Sequence, residues 1–155
     1  MASYKVRQAT MIDLEEVAEL FDLYRIFYEQ NSDINGAKQF LFERIENNES
    51  FIFIVEDIEA KEFVGFVQLY PSFSSISMQR SWILNDLYVK NEYRGNGIAK
   101  LLLEKAYSFA NETKAKGLSL STSVNNERAQ KIYEQFGFIK DEDFYHYDKS
   151  VKYTN

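Results

Sequence analysis

The chain is 155 residues long and has no cysteine, one proline (Pro71) and one histidine (His146). Without a thiol there can be no disulfide framework, thiolate zinc site, iron–sulfur cluster or cysteine nucleophile. One imidazole cannot make a multi-histidine metal site, so no metal is expected. Long apolar runs are missing as well. The most conspicuous, Phe51 to Val55, is far short of the ~20 residues that span a bilayer. No apolar stretch follows the opening Met-Ala-Ser-Tyr-Lys-Val-Arg to serve as a signal peptide, and Ala2 stands where myristoylation requires glycine. The expectation is a cytoplasmic protein with no membrane partner. Positive charge is in deficit: 18 basic against 24 acidic residues give a net charge of -6. Nucleic-acid binders carry a basic face, so that partner is not expected, and the balance leans towards a cationic one.

Aromatic residues are plentiful, at 11 Tyr, 13 Phe and 1 Trp, and most should fill a core. At roughly 100–200 residues per domain, one domain over residues 1–155 is expected. No linker, repeat or low-complexity tract interrupts it. Tyr4 to Gln8 suits a short strand. Thr10-Met-Ile-Asp13 has the form of a capping box, and Leu14, Val17, Ala18, Phe21, Tyr24 and Tyr28 mark a helical face after it. A polar break at 31–36 precedes a second helix with Ala37, Leu41 and Ile45 along one side. Strands follow at 51–55, 62–70 and 82–89, with a Ser-rich loop over Pro71 to Gln79. Ile98 to Ala110 mark a long amphipathic helix ended near Gly117, 118–124 a strand, 129–136 a short helix stopped by Gly137, and Phe138 onward one or two closing strands. The order β-α-α-β-β-β-α-β-α-β-β implies an α/β (α+β) fold, a mixed central sheet with helices on both faces.

The most informative segment lies between a strand and the long helix: Tyr93-Arg94-Gly95-Asn96-Gly97-Ile98-Ala99-Lys100. Two glycines let the backbone take positive φ, and successive N–H groups in such a turn make an anion nest beside a helix N-terminus. Arg94 and Lys100 bracket it with positive charge. Physically this is a pyrophosphate cradle, although a plain strand–helix turn explains it about as well. Lys100 in place of a third glycine excludes the dinucleotide fingerprint, and no Gly-Lys-Ser/Thr follows to make a P-loop. A second pattern follows the next strand: Asn126, Ala129, Tyr133, Gly137 and Phe138 at set spacing, expected by chance in fewer than about one chain in 10⁴. Ala129 and Tyr133 share a helical face with Asn126 at its start, so the amide and the phenol can point into one cleft.

Together these residues resemble the GNAT superfamily of acyl-CoA-dependent N-acetyltransferases, over essentially the whole chain. Arg94-x-x-Gly97-x-Ala99 matches its pyrophosphate loop and Asn126 to Phe138 its second motif. The chain looks most like the diamine and thialysine acetyltransferases and their histone/polyamine relatives, through Asn85-Asp86-Leu87-Tyr88-Val89, Val64-Gly65-Phe66 and the aromatic Glu142 to Tyr147 tail. The resemblance implies acetyl-CoA as cosubstrate, a small-molecule primary amine as acceptor and a homodimer. It implies that Leu87, Tyr88 and Val89 bind pantetheine, with the backbone of Leu87 and Val89 acting like an added strand. Arg94, Gly95, Asn96, Gly97, Ile98, Ala99 and Lys100 would hold the pyrophosphate. Asn126 would contact the CoA arm, and Tyr133 would sit beside the sulfur as general acid.

Where those acetyltransferases carry a glutamate before the aspartate, this chain has Asn85, which orients a water but takes no proton. Proton removal through ordered water is therefore expected, with Asp86 taking part. Tyr24, Tyr28, Glu29 and Asp33 are candidates for an aromatic and acidic wall around a cationic amine; core rings and solvated acids are the plainer alternative. Acceptor recognition is also expected of the 71–79 loop. Two rivals remain open: a protein N-terminal or lysine acetyltransferase, and a non-catalytic acyl-CoA-binding module.

Overall fold

The computed structural model describes residues 3–153. A five-stranded sheet runs in the order β1 (Tyr4–Gln8), β2 (Phe51–Asp57), β3 (Glu62–Ser74), β4 (Gln79–Val89) and β5 (Leu118–Ser119). The first four are joined by antiparallel pairing, while β4 and β5 are parallel. Helices α1 (Leu14–Phe27) and α2 (Ile34–Glu46) precede β2, α3 (Ile98–Glu112) crosses from β4 to β5, and α4 (Glu127–Phe136) follows. The sheet is mixed and covered on both faces, as the sequence pattern implies. Val17, Ala18, Leu20 and Leu41 of α1 and α2 pack on Ile52, Ile54 and Phe66. Ile98, Leu102, Leu103 and Ala106 of α3 pack on Phe53, Val55, Val67, Leu69 and Trp82. Covering both faces explains why Phe63 to Leu69 is a continuous buried run rather than an alternating one.

Local chemistry sets the ends of these elements. The Thr10 N–H donates to Asp13 Oδ2 at 2.8 Å ahead of α1, and Arg7 holds the same carboxylate through two contacts of 2.9 Å. That pairing keeps Asp13 below the usual carboxylate range. Asp33 caps α2 by accepting from the Gly36 N–H at 2.9 Å. Trp82 is fully buried, and its indole N–H is satisfied by Thr113 Oγ1 at 2.9 Å. Gly65 permits a close approach: a Cβ there would lie 2.9 Å from the Tyr88 carbonyl oxygen and 3.2 Å from Ile98 Cγ2. The glycine thus sets how near α3 can lie to β3 and β4.

Three expectations change. The loop over Pro71 to Gln79 is mostly strand, since β3 runs to Ser74 and β4 begins at Gln79. Pro71 is tolerated because β2 pairs with β3 only as far as Leu69, so β3 is an edge strand there. The strand expected over 118–124 pairs for two residues only, Leu118 with Trp82 and Ser119 with Ile83. The closing strands expected after Phe138 are absent among the described residues, and Ile139, Phe144, Tyr145, Tyr147 and Val151 are exposed. An apolar pattern makes a strand only beside an edge that accepts it, and two paired residues of β5 offer little.

Replacing Gly65 by alanine forces the new methyl against backbone that has no room to move. The G65A variant should lose about 1–3 kcal/mol. A lower urea midpoint at unchanged slope checks this, and an unshifted midpoint contradicts the close approach.

Candidate active site

The site begins with a strand that loses its neighbour. Gln68 pairs with Asp86 but Leu69 pairs with Leu84, so Asn85 is an extra residue in β4, a bulge. A bulge adds twist and bends its strand, and β4 and β5 part beyond Ile83. The direction of the freed backbone follows from two bonds. Lys90 N–H donates to Val64 of β3 at 2.8 Å, and Trp82 N–H donates to Gly117 on the β5 side at 3.1 Å. N–H groups alternate along a strand. Counting back from Lys90, Val89 and Leu87 turn their N–H groups to the open edge.

At the C-terminal end of β4 the chain turns through Asn91–Tyr93 into the glycine loop. Gly95 has φ 84° and Gly97 φ 78°. A Cβ at either would meet nothing within 4 Å, so these glycines serve backbone conformation and not packing. The first bond of α3 runs from Leu101 N–H to the Gly97 carbonyl, which leaves Ile98, Ala99 and Lys100 N–H ahead of the ladder. Tyr93 anchors the loop by donating to Glu62 at 2.6 Å, and Lys90 donates to the same carboxylate at 3.1 Å. Arg94 is largely committed to the protein: Nε donates to the Val89 carbonyl at 3.1 Å, and the guanidinium lies 5.0 Å from the Phe27 ring and 5.7 Å from the Tyr88 ring.

A cleft of about 550 Å³ opens between this loop and α4. Its lining holds Leu87, Tyr88, Val89, Arg94, Gly95, Gly97, Ile98, Ala99, Lys100, Asn126 and Tyr133. Asn96 is not among them; its side chain donates back to the Tyr93 carbonyl at 3.0 Å. Arg128 and Lys131 also line the cleft, and among the described residues no acidic side chain does. In a chain of net charge -6 this is a locally basic cavity suited to an anion.

Asn126 caps α4, its Oδ1 accepting from the Ala129 N–H at 3.1 Å. Two turns on from Asn126, half-buried Tyr133 stacks edgewise on Phe138, with ring centroids 5.8 Å apart. Burial, followed by the neighbouring Tyr28 and Asp86, pushes its phenol up to about 12. Tyr133 also lines a second cavity of about 270 Å³, with Tyr24, Tyr28, Leu84, Asn85, Leu87 and residues 121–123. Leu87, Tyr28 and Tyr133 are shared by both, so the two spaces adjoin at these three side chains. Asp86 lies behind the second cavity, 3% exposed, accepting from Gln68 Nε2 and from Asn85 Nδ2. Burial raises its carboxyl above the usual range, and those donors oppose the rise.

The family model described as Acetyltransferase (GNAT) family matches residues 17–138. The protein belongs to the GNAT acetyltransferase family. An uncharacterized N-acetyltransferase of Bacillus subtilis is 48% identical over 146 residues, 94% of this chain and 97% of that protein. A crystal structure of a probable acetyltransferase superposes with TM-score 0.91 at 43% identity, covering 96% of this chain and 98% of the other. Thialysine N-epsilon-acetyltransferase of Bos taurus is 35% identical over 74 residues, 48% of this chain and 43% of that enzyme, in keeping with the branch the sequence resembles.

In this GNAT acetyltransferase, the glycine loop, the β4 edge, Asn126 and Tyr133 surround one cleft, and Tyr24, Tyr28 and Asn85 gather at the adjoining cavity. Glu29 lines neither; it sits just past α1 with φ 64°, exposed. Asp33 is a helix cap, and no residue of 71–79 lines either cavity. Arg128, Lys131 and Phe27 escaped sequence reasoning. The first two had a weak signal, a three-residue spacing on the same short helix as Tyr133. Among the described residues no helix is long and apolar enough to cross a membrane.

As a cap, Asn126 is testable apart from any ligand. N126A should cost about 1 kcal/mol of stability while N126S stays near the parent, because a serine hydroxyl can replace the amide oxygen. Equal urea midpoints for all three would remove the capping role.

Proposed function

We propose that the protein transfers the acetyl group of acetyl-CoA directly to a primary amine of a small molecule, a polyamine or lysine-like amine, within a ternary complex. The observation that carries this reading is the meeting of a basic, acid-free cleft with a second cavity at Leu87 and Tyr133. The residues fit the cosubstrate by their chemistry. The N–H groups over Gly95 to Lys100, with Lys100 beside them, suit a diphosphate. The exposed edge at Leu87 and Val89 suits the amides of a pantetheine arm. Relatedness to a thialysine acetyltransferase supports an amine of lysine-like form.

Bound acetyl-CoA supplies an activated thioester carbonyl; the rest falls to the protein. A primary amine with pKa near 10.4 is only about 0.1% neutral at pH 7.4, so a proton must leave before nitrogen can attack. Asn85, in the wall of the acceptor cavity, orients a water for that step, with Asp86 behind it. The open N–H edge of β4 stabilises the negative charge that develops on the carbonyl oxygen. Tyr133 holds its proton throughout the neutral range and delivers it to the departing sulfur. Because Tyr133 starts protonated, the amine's proton needs the separate Asn85 route.

A second reading, a protein amine as acceptor, is favoured by one observation: the 71–79 hairpin does not cover the acceptor cavity. Thiol release from acetyl-CoA across polyamines, amino acids, aminoglycosides and peptides separates the two, and acetylation confined to peptides overturns the small-amine reading. The resemblance also leads us to expect a homodimer, which light scattering tests. For the chemistry itself, Y133F should lower turnover about 10–10⁴-fold with CoA affinity nearly kept. Unchanged turnover would remove Tyr133 from the mechanism, and absence of heat on titrating CoA into folded protein would remove the reading altogether.

A further inference from the structure

Gln68 is a polar side chain with no exposed surface, within the continuous buried run of β3 from Phe63 to Leu69. An amide buried there costs ~1–3 kcal/mol for each group left without a partner. Both its ends are occupied. The Ser50 hydroxyl donates to Gln68 Oε1 at 2.6 Å, and Gln68 Nε2 donates to Asp86 Oδ2. The end of the amide that faces Asp86 is the donor end, which suits an ionised carboxylate, and the Ser50 hydroxyl fills the remaining acceptor end. Asn85 Nδ2 donates to the other carboxylate oxygen at 3.1 Å.

What Asp86 lacks is a cation. Among the described residues its carboxylate takes part in no ion pair. The titratable groups around it are phenols: Tyr24 from α1, Tyr70 from its neighbour strand β3, and Tyr133 from α4, with Tyr28 just past α1 beside Tyr24. Burial first, then the Asp86 charge, raises the Tyr24 and Tyr70 hydroxyls, so both remain neutral. A buried carboxylate with only neutral donors is electrostatically incomplete. The space beside it is the acceptor cavity, whose wall includes Tyr24 and Asn85.

We propose that Gln68, held by Ser50, is a positioning residue that presents Asp86 as a fixed negative charge behind Tyr24 and Asn85, and so selects an acceptor that enters the cavity as a cation. This deepens the acetyl-transfer reading and rests on it, assigning amine recognition to a polar chain that starts on the far side of β3. No covalent step is added. The charge attracts the ammonium form, and the proton then leaves by the Asn85 route.

The test uses the full chain with Q68M, D86N and S50A. Calorimetry with CoA comes first: no heat from the parent protein sinks the acetyl-CoA reading by itself, independently of Gln68. With CoA affinity unchanged, Q68M and D86N should raise the KM for spermidine or lysine about 10- to 100-fold, the range for a lost hydrogen bond to a charged group; in Q68M, which keeps the carboxylate, kcat should be much less affected. In Q68M the acid limb of kcat/KM should move to higher pH. The Asp86 charge exists above its pKa, and losing a donor raises that pKa. S50A should move it the same way by less. Carbon-13 carboxyl resonances of Asp86 in the parent and S50A give the same comparison without activity, should Q68M not fold. An amine KM and acid limb that stay put in folded Q68M and D86N overturn the proposal. So does an Asp86 carboxyl that titrates at one pH in the parent and S50A.

Discussion

One extra residue in one strand underlies the rest of the site. Asn85 has no partner on β3, and the bend it introduces carries β4 away from β5 after two paired residues. A sheet that stayed closed would spend the Leu87 and Val89 N–H groups on its own ladder and leave no cleft. Parting the strands leaves those groups with an unmet hydrogen-bonding demand, which an extended amide-bearing ligand answers at little conformational cost. The same bulge lets Leu84, Asn85 and Leu87 all line the second cavity, with Asp86 set against Gln68 behind that wall.

Charge is arranged by place and not by sum. An acidic chain has a cleft lined by Arg94, Lys100, Arg128 and Lys131 without a carboxylate, and keeps a buried carboxylate behind the neighbouring cavity. The two cavities thus favour opposite charges on either side of Tyr133. Arg94 contributes less directly than its position suggests, because its guanidinium packs between Phe27 and Tyr88 and bonds to Val89. It ties the end of α1 to the end of β4, and so supports the loop whose backbone offers the anion site.

Much of this was legible in residue order. The glycines of 95–97 and the Asn126-to-Phe138 spacing describe local geometry, a turn with positive φ and a capped helix of fixed pitch, and both stand where the pattern puts them. The helical face from Leu14 to Tyr24 was legible for the same reason. The expected strand to Val124 and the strands after Phe138 failed because a strand is defined by its neighbour, and β4 had already turned away. In the sequence Gln68 is one polar letter within a strand. Its partners Ser50 and Asp86 are each 18 positions distant and are brought to it only by the registers of two strand pairs.

By itself the amino-acid sequence determined which segments are helix, which turn can hold an anion and which family the chain resembles, since all three depend on contacts within a few residues of one another. Only the tertiary structure decided that the strands part, that the two cavities adjoin at Leu87, Tyr28 and Tyr133, and that Asp86 is buried without a cation among the described residues. Those properties come from the register and divergence of strands distant in the chain, and no local spacing encodes them.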